Sequence, residues 1–506
     1  MIRSVLDYLD QAADEAPEKI AFADEERSMT YAELRDEAMR IGSGLARYIR
    51  RGQAVPVFSP KTAECIAAFL GVMYAGGYYV PVDVDMPASR SRHILETCRV
   101  ELLLATKPEV LPKEYISGEY KIFQTKELLE LYKKPEKELL DRIRSAQIDT
   151  DPMYAIFTSG STGVPKGVLI QCGAVCNLTE WYCETFHITD EDIFANQTAF
   201  YFDASVKEIY SCIKAKATMY IVPKKLFILP AKLMDFLNEH KVTVINWVPS
   251  VLCMIVNFHT FRKIRPEYLR TVIFSGEVMP TKQFNEWRRT LPDAVFANLY
   301  GPTECTVDAA YYIVDRDFAD SESIPIGYPC MNTDVFLLDE NDRKVTEPDV
   351  QGEICIRGRS LAFGYIGDQE KTDSVFTQNP LCPDYPEKIY RTGDLAKLNQ
   401  YGEIVFIARK DAQIKHMDHR IELGEIENAV AAVPGIQRAC VLYDHKTSRI
   451  IAVYEGDIEA AELISALRKT LPAYMLPKQM ERMEHLPLNL NGKIDRTALK
   501  QIWLKE

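Results

Sequence analysis

One segment constrains this chain more than any other. An apolar run with strand character, residues 154–157, empties into TSGSTGVPKG at residues 158–167. The loop brings backbone N–H groups, several hydroxyls and the Lys166 ammonium within reach of one anion, which suits it to phosphates. Gly160 and Gly163 are followed by Val-Pro-Lys-Gly, so the spacing of a Walker A loop fails. A strand that feeds a phosphate-binding loop points to an α/β chain. The surrounding pattern agrees. Residues 31–45 and 63–73 space their apolar positions as helices, whereas residues 54–58 and 78–83 read as strands. The alternation predicts doubly wound sheets.

Further strands are expected at 217–222, 242–247 and 271–274. Residues 108–149, rich in charge, read as a surface excursion with one helix. Short β-type runs at 335–338, 352–356 and 402–407 predict a barrel-like β subdomain. A helix over 422–433 and a strand over 439–443 belong to a small terminal domain. No internal repeat or low-complexity tract interrupts the chain.

At 506 residues the length allows two to four structural units. A formal net charge of −13 argues against a nucleic-acid binder, which needs a basic face. The twelve cysteines are scattered, the closest pair being Cys172 and Cys176. Reduced thiols in a cytoplasmic protein are the expectation. His416 and His419 have no Cys or His partner nearby and are expected to be solvated rather than metal-bound. The N-terminus lacks the apolar core of a signal peptide, and the longest apolar stretch is broken by glycines. No membrane association is expected.

Six more segments complete the pattern: MTYAEL (29–34), AGGYYVPVD (75–83), FDAS (202–205), YGPTE (300–304), YRTGDL (390–395) and NGKIDR (491–496). In this order the set resembles the adenylate-forming superfamily of acyl-CoA synthetases, luciferases and the adenylation domains of nonribosomal peptide synthetases. The variants present are most similar to free-standing amino-acid-activating members, and FSGEVMP (274–280) is similar to D-alanine–carrier-protein ligases. The resemblance implies an adenylation core over residues 1–410 and a small mobile α+β lid over 411–506, hinged at Asp411.

The same resemblance assigns roles. Lys493 reaches the substrate carboxylate and the α-phosphate, Thr303 donates to that phosphate, and Glu304 holds Mg²⁺. Thr158, Ser159, Gly160, Ser161, Thr162, Gly163 and Lys166 cradle the β- and γ-phosphates of ATP. Tyr300 lies against adenine, Asn298 reads its amino edge, and Gly276, Glu277 and Gly301 complete the nucleotide site. Asp394 accepts from the ribose hydroxyls, helped by Arg409.

Asp203 decides the substrate class by pairing with an α-ammonium; the alternative is a helix cap for Ala204 onward, since Asp is a good N-cap. The other pocket positions are Ala204, Lys207, Asn246, Ile273, Ser275, Leu299, Val307 and Asp308. Lys207 and Asp308 imply a polar substrate side chain of the glutamate or glutamine kind. Alternatively they pair with each other and leave a small pocket for alanine.

The implied reaction is ATP-dependent formation of an aminoacyl adenylate, then transfer to the phosphopantetheine thiol of a carrier protein in trans, or to CoA. An acyl- or aryl-CoA ligase and a non-catalytic AMP or amino-acid sensor are the rival readings. Two departures stand out: Ala408 before Arg409, and Asp418 where relatives carry glycine near the path of the pantetheine arm.

Overall fold

The computed structural model describes residues 2–117, 120–159, 165–410, 413–417, 419–487 and 494–504. They fall into two compact units. The first comprises Met1–Val84, Thr97–Ile156 and Gly167–Lys410; the second comprises Asp85–Glu96, Phe157–Lys166 and Asp411–Glu506.

The first unit is built on two mixed sheets. The larger runs Tyr328–Pro329, Ala310–Ile313, Val295–Tyr300, Thr271–Ser275, Val244–Trp247, Ile193–Asn196, Thr218–Ile221, Ile20–Ala23, Ser28–Thr30. Its interior pairs are parallel and its edge pairs antiparallel. The interior strands read as continuous apolar runs because helices cover both faces. The second sheet has seven strands, with Tyr78–Val82, Ala54–Phe58 and Leu102–Ala105 parallel at its centre.

Local signals start the helices. Ser4 and Asp7 form a reciprocal capping box at Val5–Glu15, and Thr30 and Glu33 do the same at Tyr31–Leu45. Helix Ala63–Tyr74 is buried on all sides, so it carries no polar stripe.

The excursion expected over residues 108–149 is more ordered than its composition suggests. Lys121–Gln124 extends the second sheet by pairing in parallel with Leu102–Ala105, and helices Thr125–Leu131 and Lys137–Ala146 follow. An edge strand with no fully buried residue leaves no clear alternation to read.

The β subdomain is an antiparallel sheet of Thr333–Leu338, Gln351–Gly358, Lys388–Leu398 and Phe376–Gln378, with Ile404–Arg409 also paired to Lys388–Leu398. No pairing among the described residues closes it into a ring. All twelve cysteines are free thiols. No helix among the described residues is long and apolar enough to cross a membrane.

The second unit centres on the sheet Ile436–Asp444, Arg449–Gly456, Gln479–Met483, flanked by Leu423–Ala431 and Ala460–Leu467. Within it Arg90 and Glu425 form a buried ion pair. The hairpin Gln413–His416/His419–Glu422 corrects one expectation: neither histidine is simply solvated. His416 is buried with Nδ1 3.2 Å from the Tyr443 hydroxyl, and the His419 ring stacks on Tyr474.

Burial, aided by the charge of Lys478, holds the His416 imidazole down at about 4. The folded state therefore binds its proton more weakly than the unfolded chain does. Its contribution to stability is complete above the unfolded value near ~6.5 and is lost as pH falls from there toward 4. Urea unfolding of the protein and of His416→Asn should thus differ most at pH 7 and converge by pH ~4. A gap that widens on acidification would contradict the assignment.

Candidate functional site

The carboxyl ends of parallel strands at the centre of the larger sheet deliver the pocket residues, where open α/β sheets place their ligand sites. Asn246 pairs in register with Ile273, and Ser275 with Leu299. Side chains alternate along a strand, so Asn246, Ile273, Ser275 and Leu299 share one face. Phe274, Trp247 and Asn298 share the other by the same register. The sheet thus separates these substrate positions from Asn298, one of the two residues assigned to adenine.

Helix Ala204–Ala215 supplies the opposite side of the pocket. Asp203 stands at its N-cap position, but its side chain makes no capping hydrogen bond. The alternative reading of Asp203 as a cap therefore fails, and its carboxylate is half-exposed beside Ala204. One turn on, Lys207 Nζ lies 3.0 Å from Asp308 Oδ2 and 3.2 Å from Ser275 Oγ. The pairing weighed against a direct substrate role for these two charges is present.

Asp308 is delivered by a strained turn. Thr306 (φ 52°) and Val307 (φ 73°) both occupy the left-handed region, which costs a β-branched residue about 1–3 kcal/mol. The Thr306 hydroxyl donates to Ser360 O at 2.6 Å, and Ala309 N–H donates to Tyr300 O at 2.8 Å; both hold the turn. Gly301 makes room for it. A Cβ there would stand 2.3 Å from Val307 O and 2.6 Å from Asp308 Cα, both backbone. Gly301→Ala should therefore destabilise the protein by about 1–3 kcal/mol, seen as a lower melting temperature, and weaken nucleotide and substrate binding together. An unshifted melting curve would show the turn to be freer than this packing implies.

On the nucleotide side, Glu304 is fully buried and its Oε1 accepts from the Tyr365 hydroxyl at 2.6 Å. Thr303 precedes it, also buried. Among the described residues no three His, Cys, Asp or Glu side chains gather as a metal cage. A single oriented carboxylate fits Mg²⁺, which is commonly held by one or two carboxylates plus substrate phosphates and water.

Asp394 and Arg409 face each other across antiparallel strands, and Arg409 donates to Asp394 Oδ1 at 2.6 Å. The Tyr300 hydroxyl donates to Asp394 Oδ2, and burial together with that carboxylate raises the phenol well above its usual range. Asn298 commits its amide nitrogen to Pro325 O at 2.8 Å, which leaves its oxygen as the acceptor. Gly276 takes a left-handed φ of 91°, while Glu277 accepts from Ser250 N–H at 2.9 Å at the start of helix Pro249–Asn257.

In the second unit, Thr158 ends strand Pro152–Thr158 with a buried hydroxyl that has no hydrogen-bond partner among the described residues. Such an orphaned group fits a ligand oxygen. The Ser159 hydroxyl instead donates to Arg420 O, and Lys166 opens strand Lys166–Gln171. Gly160, Ser161, Thr162, Gly163, Asp411, Asp418 and Lys493 lie outside the described residues.

Several groups around the pocket carry no motif. The Cys330 thiol is raised well above its usual range by burial and by the nearby Asp308 charge. Burial pushes the Glu208 carboxyl up and the Lys61 ammonium down, each to about 7. Asn196 Nδ2 donates to Glu208 at 2.7 Å, while Lys61 donates to the carbonyls of Asn196 and Gln197. The advance signal for Glu208 is its charge beside Lys207 in the mostly buried helix Ala204–Ala215.

Comparison with known proteins identifies the family. The AMP-binding enzyme family matches residues 9–366, and the AMP-binding enzyme C-terminal domain matches residues 425–493. Tyrocidine synthase 1 of Brevibacillus parabrevis is 32% identical over 99% of this chain, which spans 45% of that protein. Zwittermicin A synthase ZmaJ of Bacillus cereus is 32% identical over 96% of this chain and 92% of its own length.

Among solved structures, an NRPS protein containing adenylation and PCP domains gives a TM-score of 0.83 at 24% identity, covering 99% of this chain and 84% of that one. An artificially fused adenylation–PCP di-domain NRPS from Klebsiella oxytoca gives 0.81 at 21%, covering 95% and 94%. At these identities the likeness is one of fold. By its family matches, the chain belongs to the AMP-binding enzymes, as an adenylate-forming domain of the nonribosomal-peptide-synthetase type.

Proposed function

We propose that the protein is an AMP-forming ligase that activates an α-amino acid with ATP and passes the aminoacyl group to a phosphopantetheine thiol on a separate carrier protein. The observation that carries this reading is Asp203, which heads helix Ala204–Ala215 without capping it. A carboxylate at the head of the helix that also carries Lys207 is placed to pair with an α-ammonium. Adenylation cores joined to carrier domains among the structural neighbours support the carrier as acceptor.

In this reading Asp203 orients the amino acid so that its carboxylate oxygen attacks the α-phosphorus of ATP. The bond to the β-phosphate breaks and pyrophosphate leaves. Lys493 offsets the repulsion between carboxylate and phosphate, with Thr303 donating to the same phosphate. Asp394 receives the ribose hydroxyls, Tyr300 and Asn298 receive adenine, and Thr158, Ser159 and Lys166 with residues 160–163 receive the outer phosphates. Glu304 would hold Mg²⁺, which neutralises charge on the phosphate oxygens when bound. The thiolate then attacks the acyl carbon and AMP leaves. Residues 1–410 serve as the adenylation core and 411–506 carry the catalytic lysine.

Isotope transfer tests the reaction. With the amino acid labelled by ¹⁸O in its carboxylate, one label should appear in AMP after the adenylate is trapped with hydroxylamine. Label in pyrophosphate, or unlabelled AMP, would refute attack at the α-phosphorus.

A further inference from the structure

The amino-acid pocket contains two opposite charges that already cancel. Lys207 and Asp308 pair at 3.0 Å with side chains 0% and 1% exposed. A substrate carboxylate beside them would meet Asp308 with no new counter-ion, and a substrate ammonium would meet Lys207 in the same way. Either would shed its hydration for no matching gain.

An aliphatic side chain fails for a different reason. Asn246 is 2% exposed, shares its sheet face with Ser275, and its carboxamide oxygen has no hydrogen-bond partner among the described residues. Ser275 Oγ accepts from Lys207 at 3.2 Å, so its own hydrogen is directed elsewhere. A donor and an acceptor thus border a surround of Ile273, Leu299 and Val307, all buried. An apolar occupant leaves the Asn246 oxygen unpaired and offers the Ser275 hydroxyl no acceptor, and such sites discriminate more sharply against a missing polar group than against a missing methylene.

We infer that the pocket selects an amino acid whose side chain is uncharged and both donates and accepts a hydrogen bond, the carboxamide or hydroxyl class. This rests on the amino-acid-activating reading and narrows it. Of the two side chains the sequence favours, it keeps glutamine and rejects glutamate. It also rejects alanine as the preferred substrate.

Amino-acid-dependent exchange of labelled pyrophosphate into ATP, run on matched pairs, tests it. The pairs are glutamine with glutamate, asparagine with aspartate, serine with alanine and threonine with valine; lysine, ornithine and the des-amino analogues of the paired acids complete the panel. The highest kcat/KM should belong to a neutral hydrogen-bonding member, exceeding its partner by about 10² or more. The winning pair separates carboxamide from hydroxyl. A charged or apolar side chain giving the highest value overturns the inference while leaving amino-acid activation intact. Exchange confined to amine-free acids overturns both.

Asn246→Leu adds a second readout. KM for the preferred substrate should rise about tenfold or more while the apolar partner of the pair gains. Equal losses for both would mark Asn246 as structural and remove its part in the selection.

Discussion

Replacing Asp203 by alanine lowers kcat/KM for the amino acid by about two to three powers of ten, the cost of leaving an enclosed ammonium without its counter-charge. The helix behind it should survive, because Asp203 makes no capping bond at Ala204–Ala215. The variant is therefore expected to be spared the loss of about 1 kcal/mol that deleting a true cap costs, which its melting temperature checks. The loss should fall on the amine: the des-amino analogue of the same acid gains relative to the amino acid. Steady-state exchange kinetics on both acids measure this, and an equal loss on the two would assign Asp203 a role other than charge recognition.

Lys493→Ala carries the second large effect. Bringing a carboxylate against a triphosphate places like charges together, and a pre-positioned ammonium is worth about 10²–10³ in rate. The adenylation step should fall by that factor, with binding of ATP to the core, measured by calorimetry, little changed. That split separates a transition-state contact from a binding contact. Lys493→Arg should recover little, since a planar guanidinium does not replace a compact ammonium at a single point. A variant that keeps more than about a tenth of the parent rate would remove Lys493 from the chemistry.

Much of this was legible because it is local. Strand Ala54–Phe58 and helix Ala63–Tyr74 announce themselves by predominantly apolar runs, and the parallel strands around Asn246 and Ile273 do so too. What escaped depends on distant partners. Lys121–Gln124 becomes a strand because Leu102–Ala105 offers it an edge, which no periodicity within four residues, none fully buried, can reveal. His416 looks like a polar residue in a charged run until Tyr443, 27 residues later, closes over it. Lys207 and Asp308, 101 residues apart, could be named as pocket residues and their pairing as one of two alternatives, but choosing between the two required the turn that Gly301 permits. Lys61 and Glu208 meet around Asn196, and Cys330 lies near Asp308; none carries a pattern of its own.

The most direct measurement compares pyrophosphate exchange for the best amino acid of the panel with that for its des-amino analogue, on one preparation of the unaltered protein. The account predicts robust exchange with the amino acid and a kcat/KM at least about 10² lower for the analogue. Exchange with the analogue that equals or exceeds that with the amino acid would contradict it, because Asp203 would then be recognising no amine.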